Sequence, residues 1–172
     1  MPRGSAEHTG AAEADDKVDA ALAAALAAAK REAGKAASAK AIASWRMANT
    51  LCKALAKRTS YRWQFFDFLG PNRRESAGIV DIVAMRKSGK APGSGPLKRY
   101  DLFELVLIQV KGGAARWPTA QEIDRLKEVA RVYNATAVVL FEWKLKTHSR
   151  YLVLDEQTSE WVETRASKLF GA

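Results

Sequence analysis

The hydrophobic pattern divides the chain into an alanine-rich N-terminal segment and a longer region with apolar runs. Residues 1–14 are small and polar without periodicity, and we expect them to lack stable structure. Alanine, the strongest helix former, dominates residues 15–40 and predicts a helix from about Asp16 to Ala33, ended by Gly34. The apolar side of this helix is thin, which is typical of a loosely docked arm or of an oligomerisation helix.

The next region alternates between helical and strand-like patterns. Apolar residues at helical spacing predict a helix over residues 41–58. The aromatic run 61–69 and the apolar run 79–86 predict two strands. The run 102–110 is too apolar to be half-exposed and predicts a central strand. Residues 87–99 are rich in glycine, proline and basic residues, so we expect an exposed loop that joins the last two strands as a hairpin.

A further helix is predicted over residues 119–133. Thr119 and Glu122 have the spacing of a capping box, in which each side chain satisfies a backbone N–H of the other. Asn134 is expected to end the helix. Four residues at helical spacing form its predicted buried side: Ile123, Leu126, Ala130 and Tyr133.

Two more strands are predicted at 137–143 and 150–154. The first is reached through a helix and should therefore run parallel to strand 102–110. The resulting order of helix, three strands, helix and two strands indicates an α/β fold with a mixed sheet flanked by helices. We expect two parts, an N-terminal arm at 1–40 and a single α/β domain at 41–172.

Composition excludes several classes of protein. The 172 residues suffice for a domain with a substantial core, and no apolar run approaches the roughly 20 residues of a membrane span. The single cysteine, Cys52, excludes an internal disulfide framework and a multi-cysteine zinc site. The N-terminus lacks the apolar stretch of a secretory signal. We therefore expect a cytoplasmic protein with no membrane partner.

The net charge of +9 is concentrated in one third of the chain. Residues 41–100 contain twelve Lys and Arg against three acids, whereas 1–40 and 101–172 are each neutral. Such concentration favours a polyanionic partner, above all nucleic acid. The alternative is a solvated basic face that serves solubility.

Three polar residues stand inside or at the end of apolar runs. Asp81 lies within the run 79–85, and Gln109 and Lys111 end the run 105–111. A charge in a buried strand is costly unless it is paired, and a metal ion together with a phosphate would offset that cost. Strand alternation places Gln109 and Lys111 on one face, and pairing of the two strands would bring Asp81 beside them.

These residue types suit phosphodiester hydrolysis with Mg²⁺ or Mn²⁺. Asp81 offers a hard carboxylate oxygen, and the Gln109 side chain and the Val110 backbone offer neutral carbonyl oxygens. Lys111 would orient or help to deprotonate the attacking water and stabilise charge on the phosphoryl oxygens. The cation would activate the water. The pattern therefore indicates a metal-dependent nuclease.

The motif resembles that of the PD-(D/E)XK phosphodiesterase superfamily, which includes restriction endonucleases and Holliday-junction resolvases. In that motif an Asp on one strand precedes Glu or Gln, an apolar residue and Lys on the next strand. The corresponding positions are Asp81, Gln109, Val110 and Lys111, and the Gln variant is similar to Mrr-type restriction enzymes. The resemblance covers about residues 42–154. It implies a restriction endonuclease-like fold, a divalent cation and nuclease activity.

The sequence departs from the family pattern in three places. Residues 41–58 contain no acid where the family often has one on its first core helix, and Glu75 is the best substitute as a catalytic and metal-binding residue. Val80 stands where the family has Pro. Gln109 replaces an acid and leaves the site with fewer negative charges. An inactive relative is therefore one alternative.

The central residues also have purely structural interpretations. Asp81 would be a strand-end acid paired with Arg74 or Arg86, and Lys111 would mark only the end of its strand. Glu75, amid arginines, would form an ordinary surface salt bridge. Asp67 in the aromatic strand is a reserve ligand.

Several basic residues and one aromatic residue are candidates for nucleic-acid binding. Arg73 and Arg74 can contact phosphate oxygens bidentately. Arg116 can grip the backbone and Trp117 can stack on an unpaired base, although a lone tryptophan more often packs in a core. Four residues of the 87–99 loop form either a flexible phosphate clamp or a loose solvated loop: Lys87, Lys90, Lys98 and Arg99.

Together these patterns predict a Mg²⁺- or Mn²⁺-dependent endonuclease that hydrolyses DNA phosphodiester bonds. No separate sequence-reading module is evident, which favours structure-selective or weakly sequence-specific cleavage. The alternatives are a catalytically inactive nuclease-like module that holds DNA, and an RNA-directed nuclease. The N-terminal arm is a candidate contact for a homodimer.

Overall fold

The computed structural model describes residues 9–68, 78–90, 92–93 and 95–171, with side chains described from residue 20 onward. The chain separates into two compact units, Met1–Lys40 and Ala41–Ala172. Within the described ranges, no helix is both long and apolar enough to cross a membrane. The expectation that residues 1–8 lack structure falls outside the described residues.

A single helix, α1 (Thr9–Thr59), replaces the two N-terminal helices that the pattern predicts. The predictions that Gly34 ends a helix and that residues 9–14 lack structure are wrong. Glycine costs a helix only about 1 kcal/mol relative to alanine, and it keeps the backbone N–H that proline would remove. The alanines, lysines and glutamate around Gly34 are strong helix formers, so the helix continues through it.

Six strands form one mixed sheet in the order of the chain. They are β1 (Gln64–Asp67), β2 (Ile82–Lys87), β3 (Phe103–Gly112), β4 (Ala137–Trp143), β5 (Arg150–Leu154) and β6 (Trp161–Thr164). Strands β3 and β4 are parallel, and the other neighbouring pairs in this sheet are antiparallel. The predicted α/β class and the parallel pairing across the helix are confirmed.

Helix α2 (Ala120–Tyr133) joins β3 to β4 and begins at the predicted capping box. The Glu122 N–H donates to the Thr119 hydroxyl at 3.3 Å, and the Glu122 carboxylate accepts the Thr119 N–H at 2.7 Å. Asn134 ends the helix in the left-handed conformation with φ of 50°. Both predicted boundary signals are confirmed.

The two faces of the sheet are covered by different helices. The face toward α1 contains the larger core, which includes Ala48, Cys52, Ile82, Ile108, Val110 and Phe141. The opposite face packs against α2 through Leu107, Leu126, Ala130, Val138 and Leu154. The predicted burial of Tyr133 is wrong, because α2 lies against β4 and its last residue reaches the rim of an apolar groove beside β1 and β2.

The C-terminal residues add a strand and a short helix that the sequence pattern did not predict. Strand β6 pairs with β5, and α3 (Ala166–Phe170) follows it. The Trp63 indole N–H donates to the Phe170 carbonyl at 3.0 Å, and the two rings meet edge to face with centroids 5.5 Å apart. The end of the chain therefore closes the core on the α1 face.

Replacement of Gly112 by alanine should destabilise the domain. A Cβ at this position would lie 2.6 Å from the Ser44 carbonyl oxygen of α1, so helix and sheet would have to separate. We expect Gly112→Ala to lower the free energy of unfolding by about 1–3 kcal/mol, measured by urea denaturation. Gly89→Ala is the control, because its nearest neighbouring atom would lie 3.8 Å away. Equal stability of the two variants would contradict this close helix–sheet contact.

Candidate active site

The start of β2 and the end of β3 lie side by side and bring the predicted residues together. Ile82 faces Ile108 in the antiparallel register, and the Asp81 N–H donates to the Ile108 carbonyl at 3.0 Å. On the other side, the Phe68 N–H donates to the Asp81 carbonyl at 3.1 Å. Asp81 therefore lies directly before β2, beside the last residues of β3.

The Asp81 carboxylate continues the hydrogen-bond ladder beyond the last backbone pair. Its Oδ2 accepts the Val110 N–H at 2.6 Å, and the residue is only 4% exposed. Alternate residues of β3 direct their backbone groups toward β2. Val110 therefore turns its carbonyl to the same side as the Ile108 carbonyl. A carboxylate and a backbone carbonyl meet at this end of the sheet.

Gln109 is the strongest sign that the site holds a ligand. It is 4% exposed, and its Oε1 has no hydrogen-bond partner among the described residues. A buried polar atom without a partner costs about 1–3 kcal/mol. A cation or a water molecule held by the site would remove that cost.

Lys111 lies on the face that Gln109 occupies, at the end of β3. Side chains alternate between the two faces of a strand, and Val110, between them, is buried toward α1. Gln109 and Lys111 therefore point to the opposite face. Lys111 is half-buried, and its register partner on the parallel strand β4 is Glu142. The ammonium group is thus placed at the mouth of the site and not in the core.

The donor atoms present fit a hard divalent cation. Asp81 supplies a carboxylate, while Gln109 and Val110 supply neutral carbonyl oxygens, which are the ligand types Mg²⁺ and Mn²⁺ accept. No group of three His, Cys, Asp or Glu side chains suited to a metal occurs in the part of the chain that the structure describes. Glu75, the sequence-based candidate for a second acid, lies outside the described residues, as do Arg73 and Arg74.

Asn49 on α1 was missed by the sequence interpretation. Asn49 is 5% exposed, and its side-chain Oδ1 has no hydrogen-bond partner within the described structure. On the same helix, Ser44 lies against Gly112 and Lys53 forms an ion pair with Asp67 of β1. Asn49 lies between Ser44 and Lys53 along α1. A polar residue four positions from Trp45 within an apolar helical stripe was the signal for it.

Glu142 on β4 is the second residue that the sequence interpretation missed. It is 4% exposed and accepts hydrogen bonds from the Trp117 indole at 2.7 Å, from Lys144 at 2.9 Å and from Arg150 at 2.7 Å. Burial alone would raise its pKa, but these three donors outweigh burial and hold the pKa at about 2. Glu142 is therefore a fixed anion beside Lys111.

The basic residues of the β2–β3 loop lie away from this site. Lys87 ends β2, and the loop with Lys90, Lys98 and Arg99 leads to the start of β3. The Asp81 end of the hairpin is the opposite end. Arg99 donates to the Gly89 carbonyl at 2.8 Å within the loop. A contact between this loop and a bound phosphate at Asp81 would need a substrate that spans the hairpin.

Two other polar groups have structural partners. Arg86 pairs with Glu104 at 2.8 Å, which accounts for the acid at the start of β3. Burial raises the pKa of the Cys52 thiol to about 12, although the Tyr151 hydroxyl partly offsets this. Cys52 is therefore a core residue and does not supply a thiolate nucleophile.

No family model and no curated protein matches this chain. Among solved structures, the chain is similar to Hjc of Archaeoglobus fulgidus, described as a Holliday junction resolvase from an archaeal hyperthermophile. The two share 17% sequence identity, and the match covers 72% of this chain and 99% of that chain with a TM-score of 0.41. A likeness at this level says nothing about the residues of a site, so the chemistry depends on the geometry described above.

The Glu142 ion pairs should make stability depend on pH in the acid range. Because the folded-state pKa is lowered from 4.5 to about 2, the stabilisation is complete above about pH 4.5 and is lost as the pH falls toward 2. We expect Glu142→Gln to be less stable than wild type at pH 7, with the difference shrinking below pH 4.5. Urea denaturation across this range measures it, with the exposed Glu156→Gln as control. A difference that stays constant with pH would contradict the ion pairs.

Proposed function

We propose that the chain is a nuclease that hydrolyses DNA phosphodiester bonds with the help of Mg²⁺ or Mn²⁺. The observation that carries the proposal is the convergence of Asp81, Gln109 and Lys111 at one end of the sheet. A buried amide oxygen without a partner lies within that group. The net charge of +9 and its concentration in residues 41–100 support a polyanionic substrate.

Asp81, Gln109 and the Val110 carbonyl would hold the cation, with Glu75 as the proposed second acid. When bound, the cation offsets negative charge on the scissile phosphate and lowers the pKa of a water molecule. The Val110 N–H fixes the Asp81 carboxylate in the plane of the sheet, so its orientation does not depend on the ligand.

Lys111 acts on the phosphate and on the attacking water. Its ammonium donates hydrogen bonds to the phosphoryl oxygens, where charge grows in the transition state. The neighbouring Glu142 is occupied by its own three donors and does not neutralise Lys111 through a direct ion pair. The Lys111 ammonium is therefore not held by Glu142 and is available to contact a phosphate.

The proposed substrate is DNA cut in a structure-selective or weakly sequence-specific manner. Arg116 and Trp117 follow β3 at the site end and would contact the strand that is cut. Arg73, Arg74, Lys87, Lys90, Lys98 and Arg99 would bind the phosphate backbone further away. A homodimer would let two such sites act on two strands of one substrate.

A DNA-binding module without catalysis is the second candidate. The small negative charge of the proposed metal ligands favours this candidate. Among the described residues, Asp81 is the one acid in that ligand set. Neutral donors hold Mg²⁺ weakly, since affinity depends on the charge of the ligands. This candidate retains the basic surface and loses only the cutting.

Metal binding should depend on the charge of Asp81. Asp81→Asn keeps an oxygen that can accept the Val110 N–H, so we expect it to fold as wild type does. Mn²⁺ should raise the Tm of wild type, as a ligand that binds only the folded state must, and should not raise that of Asp81→Asn. Thermal denaturation with and without Mn²⁺ measures this. An equal shift in both proteins would place the metal elsewhere.

Cleavage should require both the cation and Lys111. We expect labelled single-stranded, duplex or branched DNA to be cut with Mg²⁺ or Mn²⁺ and not with EDTA. Lys111→Met should slow cutting by about 10²–10⁴-fold, whereas Lys168→Met on the exposed surface of α3 should leave the rate unchanged. Faster cutting of RNA than of DNA would indicate the RNA-directed alternative. Folded wild type that binds DNA without cutting it would indicate the binding module.

A further inference from the structure

Trp117 is an exposed aromatic ring held in one orientation. It lies in the segment that leaves β3 toward α2, and it is 39% exposed. Its indole N–H donates to Oε1 of the buried Glu142 at 2.7 Å. A tryptophan that served only to fill the core would be covered, whereas here the polar edge is anchored and much of the ring faces solvent.

Arg150 completes this arrangement from β5. Its guanidinium lies 5.5 Å from the centroid of the Trp117 ring, within the range of a cation–π contact. Its Nε donates to the other oxygen of Glu142 at 2.7 Å. Glu142 and Arg150 are register partners on adjacent strands, so the sheet sets their spacing. One buried carboxylate therefore positions both the aromatic ring and the cation.

The cations around Glu142 are accessible to a phosphate. Lys144 donates to Glu142 at 2.9 Å and its side chain is 49% exposed, and that of Arg150 is 37% exposed. Arg150 also contacts a second acid, the exposed Glu163, at 3.5 Å. Lys111 lies beside Glu142 in the register of β3 and β4. The same cluster thus borders the candidate active site.

We propose that Trp117, Arg150 and Lys144 bind one unpaired nucleotide of the substrate next to the cleavage site. The base stacks on Trp117, and the phosphate of that nucleotide is held by Arg150 and Lys144. Glu142 is a positioning residue that orients the ring and the guanidinium. The inference rests on the proposed function, because it takes the substrate to be a DNA strand that passes Lys111.

This site selects substrates by structure and not by sequence. Every base has an aromatic face that can stack, so the contact does not distinguish between sequences. A base within a duplex is already stacked on its neighbours and would have to leave the helix to reach Trp117. DNA with a single-stranded end, gap or branch offers such a base without that cost.

Trp117→Phe and Trp117→Leu test the stacking with matched variants. Both remove the indole N–H that bonds Glu142, and they differ in whether an aromatic face remains. Binding of labelled oligothymidylate and of a blunt duplex is measured by fluorescence anisotropy in EDTA. We expect Trp117→Leu to bind the single strand about tenfold more weakly than Trp117→Phe, with no difference on the duplex. Tyr61→Leu, at an aromatic residue that is 84% exposed, should bind as wild type does.

Equal single-strand affinity of the two folded Trp117 variants overturns the inference. Glu142→Gln gives a second readout, because it keeps an acceptor for the indole but weakens the hold on Arg150 and Lys144. We expect an intermediate loss of single-strand affinity for it, and wild-type affinity would also contradict the proposal. Binding in EDTA does not require cutting. If wild type cuts DNA but the two Trp117 variants bind the single strand equally, the nucleotide site is refuted and the nuclease proposal stands. If the two variants bind the single strand unequally but wild type does not cut DNA, the nuclease proposal is refuted and the nucleotide site stands.

Discussion

The hydrogen bond between the Val110 N–H and the Asp81 carboxylate is the contact on which the site depends. At the end of the β2–β3 ladder a side chain takes the place of the next backbone acceptor. This places a charge beside Gln109 and turns the Val110 carbonyl toward it. Loss of the acceptor would leave a buried N–H unpaired, at a cost of about 1–3 kcal/mol. This hydrogen bond, at the end of the β2–β3 ladder away from the loop, therefore aligns the donor atoms of the candidate active site.

The buried polar side chains near this end of the sheet fall into two groups. Glu142 has three donors, and they lower its pKa despite burial. Gln109 and Asn49 each have a side-chain oxygen that is left without a partner in the described structure. The indole N–H groups of Trp45 and Trp161 and one carboxylate oxygen of Asp67 also lack partners in the described structure. Gln109 differs from them because it directly precedes Val110, whose N–H holds the Asp81 carboxylate, and a cation bound there would take the Gln109 oxygen as a ligand.

Local signals in the sequence were sufficient where the structure depends on neighbouring residues. Helix α2 begins at Thr119 and Glu122 and ends at Asn134, as the sequence predicts, because caps are made within one turn of the chain. Gly34 failed as a helix end because its signal is weak against a long run of strong helix formers. The contact between Phe170 and Trp63 that closes the core joins residues far apart in the chain, so no local sequence pattern predicts it.

The sequence by itself determined the α/β class and the paired strands, and it singled out Asp81, Gln109 and Lys111 as candidates, because a polar residue inside an apolar run is visible without a structure. The tertiary structure decided the register of the hairpin and the bond between the Asp81 carboxylate and the Val110 N–H. It also decided that Trp117 and Arg150 meet on Glu142. Those contacts depend on strand order and register, and their residues come from three separate parts of the chain, so spacing in the sequence does not encode them.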